Sequence, residues 1–151
     1  MTARHPGEAH LSKHSFDKIF TPEEANELIP TLAALVCDLQ LNANELRANI
    51  AKLIDNEPEI DAMRLQQIIE RHPELAPYAG KIAEIAGEIE KLGCFLKDIE
   101  HGLIDFPGEI DDEIVFLCWQ YGEPGVSAWH PIDGGFGQRR AIPGAPKTWL
   151  N

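Results

Sequence analysis

Between Cys118 and Arg140 the chain reads CWQYGEPGVSAWHPIDGGFGQRR, which gathers a thiol, an imidazole, two carboxylates and two adjacent guanidinium groups. Cys118, Glu123, His130 and Asp133 are all competent ligands for a borderline-soft cation such as zinc. His130 closes an alternating apolar run and is followed by Pro131, Asp133 and two glycines, which let the backbone approach a ligand or another chain closely. Together with Asp105 on a neighbouring strand, it is the residue best suited to acid–base chemistry or to a metal. The metal alternative is a divalent transition metal on His130, Asp105 and Asp133. Glu123 and Arg139 complete the candidate ligand-binding set, since Arg139 with Arg140 can hold an acidic group. A single histidine without a second imidazole or an activated nucleophile is better explained by a ring that ties the Gly-rich segment to a carboxylate. The favoured reading therefore has no cofactor.

One residue of register decides whether Cys118 can take part. With GEPG as a four-residue hairpin loop, Tyr121 pairs with Val126, Leu117 with His130 and Cys118 with Trp129, so Cys118 and His130 face opposite sides. A three-residue loop sets Cys118 across from His130. On the first register Cys118 is a small buried hydrophobe opposite a buried Trp129. Other templates are missing: there is no GxSxG, HExxH or CxxC, and GGFGQRR does not open a helix as a phosphate cradle would.

The elements that must position these residues follow from hydrophobic period. FTPEEANELIP opens a helix with Thr21 as cap, Pro22 in the first turn and acidic residues at the positive end of the dipole. Ala25, Leu28, Leu32, Leu35, Leu39, Asn42, Leu46, Asn49 and Leu53 then form a heptad seam, widened by Ile29, Ala33, Val36, Ala43, Ile50 and Ile54. Pro30 should bend this helix. Asn42 and Asn49 should fix register or partner number. DAMRLQQIIERH and the run from Pro77 to Gly93 supply two later helices that can run back along the first. After Gly93 the period falls to two, and CFLKDI, LIDF, EIVFLCWQY and VSAWH read as strands, the third central.

The expected fold is α+β: a mobile tail over 1–19, a long coiled-coil-like antiparallel helical hairpin over 20–93, a small antiparallel sheet of three to four strands with a Gly-rich loop over 94–142, and a C-terminal tail over 143–151. Apolar surface in excess of one hairpin's needs makes a homodimer through the helices the expected assembly. His10 and His14 in the tail have the i, i+4 spacing of helical metal ligands, but no amphipathic pattern holds a helix there.

The chain has 151 residues and a formal net charge of -12, with 16 acidic against 7 basic residues from Thr21 to Glu100. That balance argues against nucleic acid and anionic membrane surfaces as partners, and for either a solvated face or a basic protein partner. Three cysteines in no paired spacing, with neither a signal peptide's apolar core nor a membrane-length apolar run, fit a cytoplasmic protein.

The segments FTPEEANELIPTL, KDIEHGLIDFP, LCWQYGEP and WHPIDGGF together resemble a family of uncharacterised bacterial proteins, domain of unknown function 2203, over about residues 19–140. The resemblance implies the fold boundary and a bacterial cytosolic setting, and assigns no catalytic residue. Family members usually have a long charged second helix where this chain has the proline-broken ERHPELAP. The expected function is thus a non-enzymatic homodimeric module that binds a protein or small ligand, with a metal-binding or acid–base site at His130 as the alternative.

Overall fold

The computed structural model describes residues 15–55, 57 and 59–149, so His10 and His14 lie outside the described residues. Thr21 starts the helical half through a reciprocal cap. Its Oγ1 accepts from the Glu24 N–H at 3.1 Å, and Glu24 Oε1 accepts from the Thr21 N–H at 3.0 Å. Helix α1 (Pro22–Glu27) is separated from α2 (Ile29–Leu53) at Leu28, because Pro30 has no N–H for the Asn26 carbonyl. The expected bend is therefore present, and it has a use. Asn26 Oδ1 accepts from the Val126 N–H at 2.7 Å and Asn26 Nδ2 donates to the Val126 carbonyl at 3.5 Å, which docks α1 on the loop before the fourth strand.

Asp61 caps α3 (Ala62–Arg71) by accepting from the Arg64 N–H at 2.8 Å. A short 3-10 turn at Pro73–Leu75 then leads into α4 (Ala76–Lys91), which stops before Gly93 at a φ of 97°, where a residue without Cβ is favoured. The long two-armed coiled-coil hairpin does not form. Pro73 divides the return arm into pieces of 10 and 16 residues against 25 in α2. The buried stripe of α2 is Ile29, Leu32, Val36, Leu39, Leu46 and Ile50, drawn from both sets of the sequence pattern. Its first half packs on α4 and the sheet, and its second half on Ile68 and Leu75. That stripe is covered within one chain, while Leu41 and Leu53 on α2 and Met63 on α3 remain exposed. Asn42 and Asn49 instead donate to carbonyls of their own helix, Asp38 at 2.9 Å and Glu45 at 2.8 Å. Among the described residues no helix is long and apolar enough to cross a membrane.

The sheet is an antiparallel meander of five strands, one more than the upper expectation: β1 (Phe95–Asp98), β2 (Leu103–Ile110), β3 (Glu113–Gln120), β4 (Ala128–Pro131) and β5 (Arg140–Ala141), adjacent in that order. β2 continues through Pro107 and Gly108, which the sequence places in a loop. β1 pairs with β2 only as far as Asp105, so Pro107 has no strand on its outer side and its missing N–H costs no ladder bond. Its carbonyl accepts from the Phe20 N–H at 2.7 Å. The β2–β3 turn is Asp111–Asp112 with φ of 50° and 65°, the left-handed pair a two-residue hairpin needs.

One face of the sheet belongs to the core. Ile104, Phe106, Val115, Leu117 and Trp119 pack there against Phe20, Leu32, Val36 and Leu39. The opposite face carries Asp105, Phe116, Cys118 and His130, by strict alternation along the same strands. Phe16, within the stretch expected to be a tail, packs edge-on to Phe95 and Phe116 at 5.9 and 5.8 Å between centroids.

Candidate metal centre

The register that builds the site is neither of the two that the sequence suggests. β3 and β4 pair Phe116 with His130, Leu117 with Trp129 and Cys118 with Ala128. A one-residue slip from the four-residue-loop register turns His130 onto the face of Cys118. The cause is the connection between the strands, which is longer than GEPG because Glu123 organises it. Glu123 Oε1 accepts from the Gln120 N–H at 2.7 Å, the Glu123 N–H donates to the Gln120 carbonyl at 2.9 Å, and the Trp119 Nε1–H donates to the Glu123 carbonyl at 3.1 Å. With Asn26 holding Val126, pairing resumes only at Ala128. Cys118 is thus not opposite Trp129, and Trp129 is only half-buried, with the Arg140 guanidinium 5.1 Å above its ring.

Asp105 on β2 lies directly across from Cys118 on β3. Asp105, Cys118 and His130 are 4%, 1% and 3% exposed, and one donor atom from each lies within 4.8 Å of the other two. His130 Nε2 is 3.0 Å from Asp105 Oδ2, and His130 Nδ1 is 2.8 Å from the Pro131 carbonyl. A carbonyl only accepts, so Nδ1 carries the proton. Nε2 then either bears a second proton toward Asp105 or presents its lone pair to whatever cation lies between them. A backbone carbonyl fixing the far nitrogen is the usual second partner of a metal-ligating histidine.

Burial pushes the Cys118 thiol up to about 12, and the neighbouring Asp105 carboxylate, which accepts a hydrogen bond from it, adds to the rise. The same desolvation takes Cys94 up to about 12, whereas Cys37 is exposed. At neutral pH a thiol reagent should therefore label one cysteine quickly, Cys37, and reach Cys94 and Cys118 only through unfolding. Two fast-reacting thiols would contradict this. The sign of the linkage is also fixed. Thiols whose folded values lie above the unfolded value of 9.0 contribute stability that is complete below pH 9 and is lost as pH rises toward about 12.

The remaining candidate residues separate into two groups. Glu123 and Arg139 are tied to each other: Arg139 Nη2 donates to both Glu123 oxygens at 2.7 and 2.9 Å, with the glutamate side chain 0% exposed. They form an internal ion pair that holds the chain after Gly135 against the sheet, with Phe136 under the guanidinium at 4.6 Å. Asp133 is exposed and outside the buried group, so Cys118 stands where the sequence-based set had Asp133.

A cavity of about 140 Å³ lies over the triad, roofed by Ile132, Gly134, Gly135 and Phe136 and walled by Leu103, Phe116 and Lys97. Lys97 belongs to no motif that marks it in the sequence. It sits at a β-bulge between Leu96 and Asp98, and its Nζ lies 4.8 Å from the Phe116 ring centroid, on the site face.

Comparison with curated proteins and comparison with solved structures each gave no match. The helices, the meander and all three buried donors fall instead within residues 18–142, the span matched by the family model of the uncharacterized conserved protein DUF2203, and the chain belongs to that family.

Proposed function

We propose that this protein is a metal-binding module in which Asp105, Cys118 and His130 hold one divalent ion of the zinc class. The observation that carries the reading is the meeting of a carboxylate, a thiol and an imidazole of matching tautomer within 4.8 Å on one buried sheet face. Mixed N, O and S donors in threes, with one position left for another ligand, are a familiar zinc arrangement. The positioning is rigid, because each donor stands on a different paired strand and the far side of the sheet is filled by core side chains.

A cysteine nucleophile is the competing reading, and the geometry tells against it. Such a site places the imidazole between thiol and carboxylate so that one ring nitrogen takes the thiol proton. Here the carboxylate is in the middle. Both ring nitrogens are already engaged, one by Asp105 and one by Pro131, and the thiol is held protonated by burial.

Ligation requires the Cys118 proton to leave, so binding should strengthen as pH rises through the neutral range. Protein purified without an affinity tag should carry one equivalent of zinc by elemental analysis, and His130→Ala should carry none. Free zinc at a hundred times its dissociation constant should add about 2.7 kcal/mol to the stability of metal-free protein. Substoichiometric zinc together with a zinc-independent unfolding midpoint would refute the proposal.

A further inference from the structure

We infer that the open position of this centre takes a small monocarboxylate whose oxygens lie between the bound ion and Lys97; the inference rests on the metal-binding reading above. Asp105, Cys118 and His130 all leave the same face of the sheet, and the opposite face is closed by Ile104, Leu117 and Trp119 in the core. Any remaining coordination position therefore points away from the sheet, into the cavity. Among the described residues no fourth donor belongs to the group, and the carboxylate nearest in sequence to His130, Asp133, is exposed. A zinc-class ion completes its shell with an exogenous ligand.

Charge selects the ligand. One carboxylate, one thiolate and a neutral imidazole bring a divalent ion to zero. Lys97 has no ion-pair partner among the described residues, and its ammonium is held over the Phe116 ring that walls the cavity. Lys97 is exposed to solvent and lines the same cavity, so the loaded site carries one positive charge with which a single negative charge at the open position can pair. The walls choose among monoanions. Leu103, Phe116, Ile132 and Phe136 offer apolar contact to a short hydrocarbon body, and a dianionic phosphate would leave one charge unmatched against them. A volume of about 140 Å³ is close to that of an engineered apolar cavity of about 150 Å³ that takes benzene, which suits a ligand of a few carbons.

The test uses the full chain loaded with cobalt(II), whose visible bands report changes in its ligands, titrated separately with acetate, butyrate, benzoate and inorganic phosphate. Butyrate should shift the bands saturably and more tightly than phosphate. Lys97→Gln should weaken butyrate about tenfold or more, as loss of a charge-assisted contact does, and Lys97→Arg should restore most of it. The cobalt spectrum without anion should be the same in all three proteins, because Lys97 is not a metal ligand. Bands that no carboxylate alters, a preference for phosphate, or equal butyrate affinity in Lys97→Gln would overturn this inference and leave the metal centre standing. Failure to bind cobalt at all would overturn both.

Discussion

Arg139→Leu should cost about 3–5 kcal/mol of folding stability, the range for breaking a buried ion pair by removing one partner. Glu123 is fully enclosed, and Arg139 Nη2 supplies two of the three hydrogen bonds to its carboxylate, the third coming from the Gln120 N–H at 2.7 Å. Without the guanidinium a charged carboxylate remains in the interior with one donor. Glu123→Gln added to Arg139→Leu should recover a good part of the loss, because the charge that has to be buried is then gone. Urea denaturation of the three proteins measures this directly. A loss below about 1 kcal/mol in the single variant would mean that the pair behaves as a surface salt bridge. The pair also fixes the connection that sets the β3–β4 register, so the destabilised protein should lose zinc affinity even though neither residue is a ligand.

Trp119→Ala should cost a similar amount, about 3–5 kcal/mol for truncating a buried large aromatic. Trp119 is 1% exposed in the main core, its ring meets Tyr121 edge-on at 6.2 Å, and its Nε1–H satisfies the Glu123 carbonyl at 3.1 Å. Trp129→Ala should cost clearly less. That ring is only half-buried, packed against the margin of the main core with the Arg140 guanidinium 5.1 Å over it. Thermal unfolding of both variants under one condition ranks them. The reverse order would mean that the pairing of β3 with β4 is misregistered.

Which of the two tryptophans is central depends on that register, and the register is where local sequence stops being informative. The first helix start and the last helix stop were legible because their causes are local: Thr21 as a cap and Gly93 as a stop each act within one turn. The bend before Pro30 was legible for the same reason. Five strands instead of four, and the passage of β2 through Pro107, were not, because they depend on where β1 ends and on Phe20 reaching the Pro107 carbonyl. The buried stripe of α2 mixes residues of both apolar sets because its partners are not local, one end lying on the sheet and the other on α3 and the turn after it.

The site shows the same division. His130 and Asp105 could be chosen from residue type and strand position. Asp133 was chosen for its nearness in sequence, yet the turn after β4 leaves it exposed. Cys118 was set aside on a loop length that ignored Glu123. The available signal was an acid flanked by glycine and proline with arginine sixteen residues on, a pair that draws both ends of the segment together. Lys97 gave no local signal, because its direction comes from a bulge.

Cobalt(II) titration of metal-free protein reports on Cys118 as a ligand, since a thiolate ligand produces an intense ultraviolet charge-transfer band. One equivalent should bind with that band present; the band should be lost in Cys118→Ser, binding should be lost in His130→Ala, and both should be unchanged in Cys37→Ser and Asp133→Asn. A band that survives Cys118→Ser, or a titration that reaches no stoichiometric end point, would contradict a metal centre that includes Cys118.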